Sequence, residues 1–383
     1  METMLTQEIA TRKNNPAVFN FMNYLPDPDE MLSNYNNPVA HYKKLLNDPH
    51  LSAVVMQRKA FVKSMLYELE EKPLTKEINL LLDGLNIKKL INQSLDAIYF
   101  GFTIHEIVWE FLNGKYVPKS IEEKPQDWFA FDIENNFKMK NPTNYYKLID
   151  LPDYKFILSQ NNATYMNPYG EKIIKKCYWN VKFKAQGLEY WSYFVEKYGM
   201  PFLVGELGSA AYDAKSSEFL EQLVSMKKNG VMVKREGAKL ELIESGSKSG
   251  SISSYKEFIQ FQNDEISKAV LTVSTSTNDK GTGSYAKSKT EKEIIEVIAD
   301  GDKSIVENFI NNLIEFYCVL NFGKVDYPKI MFFSKKEVEK ELADRDKVLT
   351  DQGIKFTKEY YMESYNLKET DFELKNKEIV KLN

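Results

Sequence analysis

Two long helical patterns organise the second half of the chain. In 253–271, Tyr255, Phe258, Ile259, Ile266, Ala269 and Val270 recur at steps of three and four residues, the stripe of an amphipathic helix. From 290 to 321 the same period returns through Ile294, Ile295, Ile298, Ile305, Phe309, Ile310, Leu313, Phe316 and Leu320. Between them the segment 273–289, VSTSTNDKGTGSYAKSK, turns to Ser, Thr, Gly and Lys, and Tyr285 is its one large apolar side chain. Seventeen residues without a structural period between two strong helices form a loop long enough to suggest a function.

The first 37 residues carry Asn-Asn-Pro, Pro26 and Pro28 with little periodicity and read as an extended arm, mobile unless a neighbour orders it. A helical pattern runs over 38–71, interrupted at Asp48-Pro49, and another over 78–95. The stretch 97–111, AIYFGFTIHEIVWEF, alternates as a strand, with Phe102, Ile104, Glu106, Val108 and Glu110 on one side and Thr103, His105, Ile107 and Trp109 on the other. Asn113-Gly114 gives a hairpin turn and KYVPKSI returns. Strand-like pieces follow at 128–133, 136–140 and 154–160, so 97–160 is expected to be a mainly antiparallel sheet packed on the preceding helices. An aromatic-rich helix is expected over 172–198, then a strand at 201–207, a helix from Asp213 to Lys228, strands at 231–235 and 239–245, and a hinge at 246–251. After Gly323 come a short strand KIMFF, a charged helix with Val338, Leu342, Val348 and Leu349 facing inward, and one more short helix. The fold class is α+β.

Composition narrows the function. Of 383 residues, 43% are hydrophobic and 13% aromatic, which fits a folded protein with a sizeable core. The balance of 51 basic against 55 acidic residues gives a net charge of −4, so any contact with DNA is local or weak. Cys177 and Cys318 match no metal spacing and read as buried free thiols. No signal peptide, membrane span or disulfide framework is evident, which points to a cytoplasmic protein. His41, His50 and His105 lie on different elements, none with a partner at metal-ligand spacing; His105 reads as a packed or hydrogen-bonded sheet residue and His50 as part of a helix start. There is no P-loop and no G-x-S-x-G elbow, and Asp344-Arg345-Asp346 reads as a solvated helix face. No catalytic residue, metal ligand or cofactor is expected. The loop keeps one kind of chemistry. Lys280, Lys287 and Lys289, with Thr275, Ser276, Thr277, Asn278, Thr282 and Ser284, can meet a phosphate backbone without reading sequence.

Five motifs in order identify a relationship. YFGFTIHEIVWEFLNGKYVPKSI (99–121), FKAQGLEYWSYFVEKYGMPFLVGEL (183–207), DEISKAVLTVSTST (264–277), GSYAKSKTEKEI (283–294) and LNFG (320–323) resemble the portal proteins of tailed bacteriophages, specifically the Mu-type family, and DRDKVLTDQGIKFTKEYYMESYNL (344–367) fits the same pattern. The resemblance runs from about Pro38 to Leu374. It implies a ring, typically of twelve subunits, at one capsid vertex of a virion assembled in the host cytoplasm. Double-stranded DNA passes through such a ring without sequence recognition, and the terminase large subunit, the head–tail connector and the major capsid protein are its partners. The same resemblance divides the chain into an arm (1–37), a first wing part (38–180), a stem helix (181–200), a clip module (201–251), a second stem helix (252–271), a tunnel loop (272–289), a wing helix (290–325) and a short crown-like region (326–383). Phe183, Tyr190, Trp191, Phe194, Tyr255, Phe258 and Ile266 would then be stem and subunit-interface residues. Two other readings compete. A nucleic-acid-processing enzyme would turn over DNA or nucleotide by itself, and a tail or baseplate component would lack the stem–clip–stem order.

Overall fold

The computed structural model describes residues 24–29, 38–144, 147–198, 202–206, 239–243, 249–273, 284–333 and 340–365, with isolated positions 221, 367 and 372. The first helices are α1 (Pro38–Leu45), α2 (Pro49–Lys63), α3 (Thr75–Asp83), α4 (Ile87–Ser94) and α5 (Asp96–Phe100), with strand β1 (Leu66–Leu69) after α2. Asp48 caps α2 through Oδ1, which accepts from the Leu51 amide at 2.9 Å, and Pro49 follows at a position where its missing N–H costs nothing. The helical pattern expected to continue to Glu71 stops at Lys63. Residues 66–69 instead pair antiparallel with β10 (Ile330–Phe333), so the strand expected in a separate C-terminal region is bonded to the N-terminal half. The helix expected over 78–95 is broken in two by Gly84-Leu85-Asn86, where Asn86 caps α4.

Strand β2 (Phe102–Leu112) is the centre of a three-stranded antiparallel sheet between β3 (Lys115–Lys124) and β7 (Phe156–Gln160). The alternation read from sequence holds within it, but the strand begins five residues late because 96–100 closes a helical turn. The switch is at Gly101, φ +92°, beside Gly170, φ +76°. A Cβ on either would lie 2.3 Å from a carbonyl oxygen of the facing segment, so only glycine allows the two backbones to cross here. The hairpin turn has Asn113 and Gly114 both at positive φ (53° and 80°), the requirement of a type I′ turn.

Both faces of β2 are covered at its start. Phe102 and Ile104 join Phe129, Phe131, Tyr169 and Leu25 in a small aromatic core, built partly on the sheet β4 (Phe129–Phe131), β5 (Phe137–Lys140) and β6 (Leu148–Ile149). Leu25 belongs to segment 24–29, which lies within the expected mobile arm yet is fixed: its amide donates to the Phe131 carbonyl, Tyr169 donates to its carbonyl, and Lys172 bonds Asp27 at 2.7 Å. The other face of β2, through Ile107, enters the main core with α1–α5 and the long helix α8 (Ser284–Phe322). His105 is packed there and not hydrogen-bonded: its ring sits 4.6 Å from that of Phe309, and neither nitrogen has a partner among the described residues. Burial holds its imidazole down at about 4, so it is neutral. The thiols of Cys177 and Cys318 are buried and free, as expected.

The remaining elements are α6 (Ile173–Tyr198), the antiparallel pair β8 (Phe202–Glu206) and β9 (Lys239–Ile243), α7 (Ser249–Leu271), α9 (Lys340–Asp351) and α10 (Lys358–Tyr365). The helix expected from Asp213 to Lys228 and the strand at 231–235 lie outside the described residues, and the expected hinge 246–251 gives way to helix from Ser249. On α9, Val348 is exposed and not inward. Asp346, expected on a solvated face, is buried, accepting from Tyr365 at 2.7 Å and Tyr360 at 3.0 Å. Burial opposes its ionisation, but the hydrogen bonds from Tyr365, Arg345 and Tyr360 prevail and hold the carboxyl below its ordinary range.

Candidate functional site

Helices α6 and α7 pack along each other as an antiparallel pair. Asn180 Nδ2 donates to Gln262 Oε1 at 3.0 Å near one end, and Trp191 stacks on Tyr255 with rings parallel to within 3° near the other. Midway, the ring of Phe258 lies on the bare Cα of Gly187, where a Cβ would come within 2.8 Å of it. Glycine in mid-helix costs about 1 kcal/mol against alanine, so its presence reflects this close approach.

The pair does not bury its aromatic surface. Trp179 (53% exposed), Phe183, Tyr190 (62%), Tyr193, Phe258 and Phe261 (56%) all stand open. On one flank of the contact, Phe183, Gly187, Tyr190, Tyr255 and Phe258 line a groove of about 310 Å³. At 100° per residue Leu188, Ser192 and Val195 face the other flank, where with Trp191 and Glu196 they line a second hollow of about 430 Å³. So Phe183, Tyr190, Trp191, Phe194, Tyr255 and Phe258 gather on this pair, with Trp191, Phe194 and Tyr255 half-buried between the helices. Ile266 differs: it is wholly buried in the core of its own subunit and offers no surface to a neighbour.

At its far end the pair is braced by α2, which sequence reading gave no special role. Asp48 Oδ2 takes Lys184 of α6 at 2.7 Å, both side chains buried, while Oδ1 keeps the helix cap. His50 Nε2 lies 2.7 Å from Ser267 Oγ on α7; burial first, then the Lys184 charge, lowers its basicity. Arg58 reaches Asp302 of α8 through Nε at 2.7 Å and Nη2 at 2.8 Å, and its Nη1 donates to the Val270 carbonyl of α7 at 2.6 Å. One helix thus carries buried polar links to three others. In sequence Asp48, His50 and Arg58 are not set apart from the other polar residues of this helix, Ser52, Gln57, Lys59 and Lys63; no local rule pairs them with positions over 130 residues away.

Beyond the brace the chain leaves α7 through Thr272 and Val273. Thr275, Ser276, Thr277, Asn278, Lys280 and Thr282 lie outside the described residues. Ser284, Lys287 and Lys289, expected in the loop, stand on α8, which begins at Ser284 and not near Thr290. Among the described residues no three His, Cys, Asp or Glu side chains gather as metal ligands, and no helix is long and apolar enough to cross a membrane.

A family model described as the portal protein of Mu bacteriophage matches residues 39–367. Among curated proteins, the Mu-like prophage FluMu protein gp29 of Haemophilus influenzae is 23% identical over 291 residues, covering 73% of this chain and 55% of the relative. The portal protein of Escherichia phage Mu is 21% identical over 220 residues, 56% of this chain and 42% of that protein. The chain spans about half the length of these relatives. Among solved structures, a chain from the neck of a native GTA particle with C12 symmetry superposes with a TM-score of 0.60 at 11% identity, covering 86% of this chain and 93% of that one. The neck of the empty particle with C6 symmetry gives 0.59 at 12% identity, over 85% and 93%. At such identity the likeness is one of fold: the α+β arrangement is shared with these chains from GTA necks.

Proposed function

The chain belongs to the portal protein family of Mu bacteriophage, and on that premise we propose that it closes into a ring, of twelve copies, at one vertex of a capsid and forms the channel through which double-stranded DNA is packaged and ejected. The observation that carries the reading is the open apolar surface on the two flanks of the α6–α7 pair, aromatic at Phe183, Tyr190 and Phe258 on one and aliphatic at Leu188 and Val195 on the other. A ring needs heterologous contacts, one face of each copy against a different face of the next. Two unlike apolar flanks on one helix pair meet that need.

In this reading α6 and α7 are the stem, and the clip expected at 201–251 narrows to the residues between Tyr198 and Ser249. The helices before α6, the β3–β2–β7 sheet and α8 form the wing, and the tunnel loop narrows to 274–283. The C-terminal helices α9 and α10 make a small crown, while β10 belongs with the wing because it pairs with β1. The role is structural, with ATP hydrolysis left to the terminase large subunit; the head–tail connector and the major capsid protein are the other partners. A net charge of −4 suits a conduit that must pass DNA without gripping it. Three lysines on one subunit do little, whereas twelve copies around an axis raise their effective concentration.

Electron microscopy of the purified protein tests the ring: annular particles with an axial hole are expected, and a monodisperse monomer at every salt concentration would overturn it. For the channel, Lys280, Lys287 and Lys289 changed together to Glu should leave rings intact but impair DNA packaging or retention. Loss of the rings would make these residues an interface instead.

A further inference from the structure

Nine buried side-chain atoms among the described residues have no hydrogen-bond partner, and four of them belong to three residues of one small patch: Thr103 Oγ1, both ring nitrogens of His105, and Ser159 Oγ. The register of the sheet brings these residues together. Thr103 of β2 stands directly opposite Ser159 of β7, and His105 follows two residues on, opposite Ile157. Side chains two residues apart on a strand share a face, so all three belong to the face of Ile107 and Ile157, which forms part of the main core. The patch is closed to solvent: His105 is 0% exposed, Thr103 1% and Ser159 5%, and the Phe309 ring of α8 lies against the imidazole.

Hydroxyls and an imidazole are costly in an apolar interior unless each finds a protein partner or an ordered water. The chemistry of the patch selects the ligand. Burial keeps the imidazole neutral, so it offers one donor and one acceptor, while each hydroxyl offers one donor and two lone pairs. Among the described residues no three His, Cys, Asp or Glu side chains gather as metal ligands, and an organic molecule would need an opening that the burial denies. Water has two donors and two acceptors, and it has the reach. Opposite residues of a ladder hold their Cβ atoms about 5 Å apart, a span bridged by one molecule bonded at about 2.8 Å to each hydroxyl.

We propose that this face of the β2–β7 ladder is a buried water-binding site, where one ordered water bridges the hydroxyls of Thr103 and Ser159 and the same or a second water bonds a ring nitrogen of His105. The site ties the two strands together through their side chains and fixes the tautomer of His105. It rests on the sheet and not on the ring reading.

The direct test is a density map of the full-length protein, by crystallography or electron microscopy, at a resolution that shows ordered water. A peak within about 3.2 Å of both Thr103 Oγ1 and Ser159 Oγ is expected. No peak there, or side chains turned to bond one another or the backbone, would overturn the site. Stability gives a second reading through its sign. Thr103→Val keeps the branched shape and removes only the hydroxyl. In urea unfolding of the full-length chain it should lower the folding equilibrium constant at least about fivefold, because the water and its other partners lose a bond. An unchanged or raised constant would show that a dry hydroxyl had been removed, and the proposal would fall. Ser159→Ala should lower the constant as well. Since the two hydroxyls share one water, the double variant should lose clearly less than the product of the two single losses. A full product would place the hydroxyls in separate environments and overturn the shared site.

Discussion

Replacing Gly187 by alanine should separate the stability of the subunit from its assembly. In the middle of α6 the change from glycine gains about 1 kcal/mol of helix propensity. Against this, the new Cβ would stand 2.8 Å from Cε1 and 3.0 Å from Cδ1 of Phe258, closer than carbon atoms pack. Phe258 is exposed on one side, so its ring can turn outward and the helices need not separate. Full burial of such a ring is worth roughly 1.5–3 kcal/mol, and losing part of it costs about 1 kcal/mol. The two effects offset, and the isolated subunit should unfold in urea within about 1 kcal/mol of wild type. The displaced ring would intrude on the groove with Phe183, Tyr190 and Tyr255. Mass photometry should then show half-assembly at a concentration at least tenfold higher, a loss of about 1.4 kcal/mol per contact. A variant that assembles at the wild-type concentration would refute the groove as an interface. A loss of more than about 2 kcal/mol in the subunit would refute the claim that Phe258 yields.

The remaining expectations concern the core and the brace. Lys184→Met leaves Asp48 buried and unpaired, at a cost of about 3–5 kcal/mol; adding Asp48→Asn, which can still cap α2, should recover more than half of it in a double-variant urea cycle. His105 stays neutral in the fold down to about pH 4, whereas in the unfolded chain it takes up a proton near 6.5. Stability complete above pH 6.5 should therefore fall as pH drops from 6.5 to about 4, by about 3 kcal/mol at 1.36 kcal/mol per unit, and His105→Leu should flatten that part of the profile. Burial pushes the Cys177 thiol up to about 12 and the Cys318 thiol to about 11, so neither should react with iodoacetamide at pH 8 until the chain is denatured.

Local chemistry was legible wherever one element carries its own signal. The 3.6-residue stripes of α7 and α8, the alternation of β2, the Asn113-Gly114 turn and the aromatic run of α6 all stand in the sequence and in the fold. Errors clustered where a local preference met a distant partner. Residues 66–69 continue a helical pattern but pair with 330–333, because an open strand edge there is satisfied only by a segment about 260 residues on. Asp346 read as solvated because Tyr360 and Tyr365, which cover it, belong to the next helix.

By itself, then, the sequence determined the kind of most of the described elements and the family to which their order belongs, since periodicity and turn chemistry act over a few residues. Tertiary structure alone decided which apolar stripe is core and which is surface: Ile266 and Phe258 share one helical pattern, yet one is sealed inside the subunit and the other stands open beside Gly187. It also decided that Asp48, His50 and Arg58 of one short helix would brace three others. Burying a charge is costly unless a partner arrives with it. That partner is chosen by packing in three dimensions, not by spacing along the chain.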